Sequence, residues 1–203
     1  GLIVDLWGVI HDGREPYPGV LDCLDRLRQA GHKVVLLSNA PRSAARVLAA
    51  LGGMGITNER VDGLVTSGDV TLEALRRRND AWHTALGHFF LHVGPARDWG
   101  LLQDTSHCEV VGLEEADFIL VTGFYDDESE CAADYRELFG AALRRRLPMV
   151  CANPDLSVMR GSRTVPCAGA LAAAYEALGG EVRYHGKPHA GAYDVAVERL
   201  DGI

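Results

Sequence analysis

The sequence predicts an α/β fold built around a parallel sheet. Short, almost wholly apolar runs such as Leu2-Ile3-Val4 and Val34-Val35-Leu36-Leu37 have the pattern of strands buried on both faces. Stretches with apolar residues at helical spacing lie between such runs. Strands alternating with helices wind a parallel sheet.

In chain order, residues 2–7 read as the first strand, followed by a Gly/Pro-punctuated stretch over 13–19. Val20, Leu24 and Leu27, with Leu21 beside them, share one face of a helix that stops at Gly31. Residues 33–37 form a second strand, 43–51 a second helix and 63–66 a third short strand. From about Asp80 the rhythm repeats less regularly, with strands expected over 89–93, 118–122 and 149–152. Helices are expected over 135–146 and over the Ala-rich 168–178, the latter stopped by Gly179-Gly180. A strand over 182–185 and a helix over 191–200 complete the series. The organisation read from this is a core over 1–79, a second α/β module over 80–182, and a return to the core over 183–203.

Composition excludes several classes. A chain of 203 residues buries a substantial core without disulfides. With 47% apolar and 24% charged residues, disordered and fibrous classes are out. The formal charge of −8 argues against a nucleic-acid partner, which usually meets a basic face. No apolar run approaches the roughly 20 residues of a membrane span. Five cysteines, odd in number and without a C-x-x-C pair, point to a reduced, cytoplasmic setting and argue against a zinc site.

Ligands of parallel α/β sheets bind at the carboxyl ends of the strands. The polar residues expected there are Asp5, Ser38-Asn39 and Gly186-Lys187-Pro188. A carboxylate, a hydroxyl with nearby amides and an ammonium suit one task. The carboxylate attacks phosphorus while the donors hold the phosphoryl oxygens.

On these residues the sequence resembles the haloacid dehalogenase (HAD) superfamily, in its class IIA branch of NagD-like and p-nitrophenylphosphatase-like proteins. Residues 1–9, Gly-Leu-Ile-Val-Asp-Leu-Trp-Gly-Val, are similar to the first family motif. Leu36-Leu37-Ser38-Asn39 is similar to the second and Gly186-Lys187-Pro188 to the third. Val65-Thr66-Ser67-Gly68, Ala152-Asn153-Pro154-Asp155 and Gly169 with its Ala-rich helix extend the likeness along nearly the whole chain, in family order. The resemblance implies a HAD-type Rossmannoid core with an inserted α/β cap domain of class II. The 149 residues between Ser38 and Lys187 leave room for the cap. It also implies Mg²⁺-dependent hydrolysis of a small phosphorylated metabolite through an aspartyl-phosphate. Asp5 would be the nucleophile and a metal ligand, and the Trp7 backbone carbonyl a second ligand. Ser38, Asn39 and Lys187 would bind the phosphoryl group, with Asn153 and Asp155 facing it from the cap or capping a turn. A second copy of the chain stays open as a partner.

Two departures stand out. Where the family places a second aspartate as general acid and base, this chain has Trp7, and an indole is only a hydrogen-bond donor. Trp7 supports a rival reading, a catalytically impaired protein that binds a phosphorylated ligand or regulates. Asp12 on the following loop is the candidate proton source should aryl and alkyl phosphates react at equal rates. The acidic fourth motif has no match, since Gly68-Asp69 lies elsewhere in the order. Both ends of the sequence look cut, and the natural protein is expected to continue past Ile203 with another strand and an acidic pair. Without such a strand, Leu2-Ile3-Val4 would form an open apolar edge.

Other features read more plainly. His83, His88 and His92 are expected at the surface, and Arg76-Arg77-Arg78 and Arg144-Arg145-Arg146 as solvated helix ends suited to the dipole. Gly186-Lys187-Pro188 is not a phosphate-binding P-loop, and no G-x-S-x-G elbow occurs. A dehalogenase-like attack of Asp5 on carbon is a third reading, opposed by the long segment between the second and third motifs.

Overall fold

In the computed structural model, which describes residues 1–103 and 105–202, the apolar runs become the strands of two parallel sheets. Ile203, the end of the expected second core part, lies outside the described residues. The first sheet has the order β1-β2-β3, formed by Leu2–Asp5, Val34–Ser38 and Gly63–Thr66. Its register places Asp5 beside Leu37 and Ser38 beside Thr66, so the carboxyl ends of the three strands lie together. Alternation along β2 fills both faces. Val34 and Leu36 pack with Leu24 of α1 (Val20–Gln29) and with Val47 and Leu51 of α2 (Ala44–Gly52). Val35 and Leu37 meet Val70 of α3 (Ser67–Arg77) and Ala192 and Ala196 of α7 (Ala190–Asp201).

The second sheet has the order β10-β7-β6-β4-β5. Its strands are β4 (Phe89–Val93), β5 (Cys108–Val110), β6 (Phe118–Val121), β7 (Met149–Cys151) and β10 (Val182–Tyr184). One face is covered by α5 (Arg136–Arg144) and α6 (Ala168–Ala177), through Phe139, Ala142, Leu171 and Tyr175. The other carries Phe90, Phe118, Leu120 and Val150 against Leu75 of α3 and Leu86, which follows the short α4 (Ala81–Ala85). Helix α3 therefore gives Val70 to one sheet and Leu75 to the other. An antiparallel hairpin, β8 (Ser157–Arg160) and β9 (Arg163–Pro166), leaves the end of β7.

Several expectations change. Among the described residues β1 is an outer strand of its sheet and is only partly buried, with Leu2 38% exposed. Arg183 and Tyr184, assigned by sequence to the returning core, pair with Val150 and Cys151 in the second sheet. His83 and His92 are buried rather than exposed, because each ring has a polar partner. His83 Nδ1 lies 2.7 Å from Asp80 Oδ2, and His92 Nε2 lies 2.8 Å from Thr122 Oγ1. Two arginines of the basic runs are structural rather than merely solvated: Arg78 donates to the Gly87 carbonyl at 2.9 Å, and Arg145 to that of Leu113.

Candidate active site

Parallel pairing collects the ends of β1 and β2 and the loop before α7 at one place, and there Lys187 reaches Asp5. Its Nζ donates to Asp5 Oδ1 and, at 3.1 Å, to the Leu37 carbonyl. Asn39, almost wholly buried, holds the lysine loop in place. Its Oδ1 accepts from Lys187 N at 2.7 Å, while its Nδ2 donates to Lys187 O at 3.0 Å and to Asp155 Oδ1 at 2.9 Å. Asp155 in turn uses its amide on Asn153 Oδ1 at 3.0 Å. Burial pushes the Asp155 carboxyl up, against the Asn39 bond and the Lys187 charge. Ser38 Oγ accepts from Ala40 N at 3.2 Å, leaving its own proton free to be donated.

Backbone approach makes this arrangement possible. A side chain at Gly186, where φ is +124°, would stand 2.6 Å from Asn39 Oδ1. One at Gly169 would stand 2.5 Å from the Asp155 carbonyl. Both positions need a residue without Cβ.

Asp5, Trp7, Ser38, Asn39, Asn153, Asp155 and Lys187 all line one cavity of about 410 Å³. Every site residue read from the sequence is thus brought together. Asp12 is not among the lining residues: its Oδ1 accepts from Arg14 N and Glu15 N. These backbone donors, Glu15 first, hold its carboxyl below the usual range, which opposes proton donation.

Sequence reasoning missed the remaining charged wall. Arg42, Arg97, Asp98, Asp127 and Arg160 line the same cavity. Arg97 and Arg160 donate to Asp127 Oδ2 at 2.5 and 2.8 Å. Burial works to raise the Asp127 carboxyl, but the two arginines hold it low. Arg42 Nε and Asp98 Oδ1 lie 3.4 Å apart without a hydrogen bond. Burial pushes Asp98 up to about 6. The available signal was the strand-end rule itself, applied to the second sheet: Arg97 and Asp98 follow β4, and Asp127 follows β6.

A magnesium ion suits the donors present. Asp5 Oδ1 is occupied by Leu6 N, at 2.8 Å, and by Lys187. The second carboxylate oxygen and the Trp7 carbonyl would be hard oxygen ligands. Among the described residues no group of three or more His, Cys, Asp or Glu is placed to hold a metal. Few protein donors is the ordinary condition for Mg²⁺, which keeps several waters and uses substrate phosphate.

Comparison with known proteins follows the same lines. Residues 2–103 match the family model described as haloacid dehalogenase-like hydrolase. A haloacid dehalogenase-like hydrolase from Brucella suis 1330 is 36% identical, covering 98% of this chain and 71% of its own, with a TM-score of 0.89. The chain belongs to the haloacid dehalogenase-like hydrolases. Glycerol phosphate phosphatase from Mycobacterium tuberculosis, crystallised with calcium, is 25% identical over 98% of this chain, with a TM-score of 0.72. This chain spans 55% of that protein's length. A 4-nitrophenylphosphatase from Thermotoga maritima, at 24% identity and a TM-score of 0.73, shares the fold over 98% of this chain and 72% of its own. No curated protein matched the sequence. No helix among the described residues is long and apolar enough to cross a membrane.

Proposed function

We propose that this haloacid dehalogenase-like protein hydrolyses phosphomonoesters of small metabolites through an aspartyl-phosphate on Asp5. The observation that carries the reading is the Asp5–Lys187 pair beside Ser38, at the joined strand ends of one cavity. An Asp5 carboxylate oxygen attacks phosphorus, and the ester oxygen leaves with its bonding electrons. Water then attacks the aspartyl-phosphate, releasing inorganic phosphate and restoring Asp5. Lys187 and the Ser38 hydroxyl donate to phosphoryl oxygens and offset charge that grows in the transition state. Asn39 is a positioning residue, holding the backbone of Lys187. Asp5 and the Trp7 carbonyl would hold Mg²⁺, which when bound withdraws charge from the phosphoryl group. The second sheet unit and its hairpin would act as the cap, walling the site from water through Asn153, Asp155 and Arg160.

Hydrolysis of 4-nitrophenyl phosphate with and without Mg²⁺, in the wild type and Asp5→Asn, tests this. Wild-type turnover that needs Mg²⁺ and falls at least about 10³-fold in the variant is expected, since an amide cannot replace the carboxylate nucleophile. An active Asp5→Asn protein would remove Asp5 from the chemistry. The rival reading, a phospho-ligand binder without turnover, rests on Trp7, whose indole N–H donates to the Met159 carbonyl at 2.6 Å and offers no transferable proton.

A further inference from the structure

Apart from Asp5, Asp155 and Lys187, the charged residues lining the cavity are three arginines and two aspartates. Arg42 sits within electrostatic reach of Arg46, Arg97 and Arg160, with Asp98 beside it. Asp127 is the other carboxylate of the group, shared between Arg97 and Arg160. On the cavity lining, the three guanidiniums of Arg42, Arg97 and Arg160 thus meet the two carboxylates of Asp98 and Asp127, with Glu128 in electrostatic reach of Arg160. Arg46 lies behind the lining and donates to the carbonyls of Arg97, at 3.0 Å, and Trp99, at 3.3 Å. Asp98 forms an ion pair with Arg42 at 3.4 Å but no hydrogen bond. Its side chain is only 3% exposed, yet Oδ1 has no hydrogen-bond partner and faces an equally unpartnered Arg42 Nε. Burial weakens the pair from both sides, lowering Arg42 and raising Asp98. A cationic group left under-neutralised at a cavity wall loses stability unless an anion completes it.

We infer that this wall binds a second anionic group of the substrate, so the preferred phosphomonoesters carry a carboxylate or another phosphate besides the scissile one. The inference rests on the reading above for the reacting end, which places the scissile phosphate at Asp5, Ser38 and Lys187. The arginines line the same cavity from other segments, with Arg42 in the loop after β2, Arg97 following β4 and Arg160 ending β8. Guanidinium is suited to this task because its planar fork meets carboxylate or phosphate oxygens in pairs. Asp127 keeps Arg97 and Arg160 oriented between visits of the ligand. Neutral alcohol phosphates of the same length would leave the surplus charge uncompensated.

Binding of phosphonates, which cannot be hydrolysed, reads this directly. Calorimetric titration would compare 3-phosphonopropionate with its carboxyl methyl ester, and propane-1,3-bisphosphonate as the two-phosphorus arm. The wild type should bind at least one of the diacids about tenfold or more tightly than the ester, since a charge-assisted hydrogen bond is worth about 1.5–3 kcal/mol. Whichever diacid binds better identifies the second group. In Arg97→Gln and in Arg160→Gln, both partly exposed positions that should fold, the preference should shrink to about threefold or less. Equal binding of acid and ester in the wild type, or a preference that survives both variants, would overturn the inference. Hydrolysis of 4-nitrophenyl phosphate on the same samples separates the two claims. Selective binding without turnover keeps the anion wall and removes the phosphatase reading, whereas turnover without selectivity does the reverse.

Discussion

Asn39→Asp changes one atom type at the junction of three segments, and its consequence can be worked from the distances. The wild-type Nδ2 donates to Lys187 O at 3.0 Å and to Asp155 Oδ1 at 2.9 Å. In the variant an oxygen takes that place, so both bonds are lost and two carboxylates face each other at hydrogen-bond distance. A neutral bond contributes about 1 kcal/mol and one to a charged group about 2, so the ionised variant should lose about 3 kcal/mol before repulsion is added. Repulsion between the carboxylates takes the total to about 4 kcal/mol or more, at a site only 5% exposed. Folded domains have about 5–15 kcal/mol in all, so this is a large share.

The pH dependence gives the test its sign. Two carboxylates in one site cannot both ionise easily, so one of them is raised above its unfolded value near 3.9. A raised acid contributes stability while protonated, and that stability is lost as pH climbs through the folded value. The deficit relative to wild type should therefore be small near pH 4.5, where a shared proton rebuilds an O–H···O bond, and largest near pH 8. Asn39→Leu, of similar size, should show a deficit that changes little over the same range. Urea unfolding of the three proteins at both pH values measures this. A pH-independent deficit in Asn39→Asp, or one below about 1 kcal/mol at pH 8, would refute the reasoning that Asn39 holds Asp155 and Lys187 together.

Further outcomes follow from other contacts. Gly169→Ala must push the 154–155 backbone back by roughly 1 Å to restore van der Waals distance, and a displacement of that size can cost about 10²-fold in turnover; kcat for 4-nitrophenyl phosphate checks it. Tyr175→Phe removes the hydroxyl that donates to Leu147 O at 2.7 Å in a fully buried setting, and should lower unfolding free energy by about 1–2 kcal/mol while leaving kcat unchanged. If no side chain protonates the leaving group, aryl phosphates with acidic alcohols should turn over about 10²-fold or more faster than alkyl phosphates; equal rates would show that another group on the wall supplies the proton.

What the sequence made legible, and what it did not, follows from where each signal comes from. Val34–Ser38 reads as a buried strand because all five residues are buried, so pattern and burial coincide. Asp5, Ser38 and Lys187 could be joined from sequence because a parallel sheet brings its carboxyl ends together whatever the intervening chain does. Arg42, Arg97, Asp98, Asp127 and Arg160 could not be recognised in the same way. A charged loop residue is solvated by default, and only the meeting of two strand-end clusters turns these into a wall. Strand β5 was missed because Cys108-Glu109-Val110 is short and mostly exposed. The hairpin 157–166 has a turn glycine, Gly161, but its strands Ser157–Arg160 and Arg163–Pro166 lack the strict alternation that marks a half-buried strand. The histidines were misplaced because burial of an imidazole depends on partners far along the chain: His83 Nε2 meets His185 Nε2 at 3.2 Å.

Trp7 shows how the two walls of the cavity are coupled. Its ring packs edge-on against His11, with centroids 5.1 Å apart, and fills the space that a side chain at Gly13 would need. The loop after β1 is thereby folded around the indole. The one N–H of that indole donates to the carbonyl of Met159, 152 residues away on β8. Met159 immediately precedes Arg160, whose guanidinium pairs with Asp127, the carboxylate that Arg97 also holds. A continuous path of contacts therefore runs from the strand bearing Asp5, through Trp7, to the arginines of the second unit. A carboxylate at position 7 could not donate to Met159 O, and phenylalanine would keep the packing but lose the tie. Together with the bond from Gly161 N to Asp12 O at 3.4 Å, the Trp7 indole thus ties the loop after β1 to the hairpin.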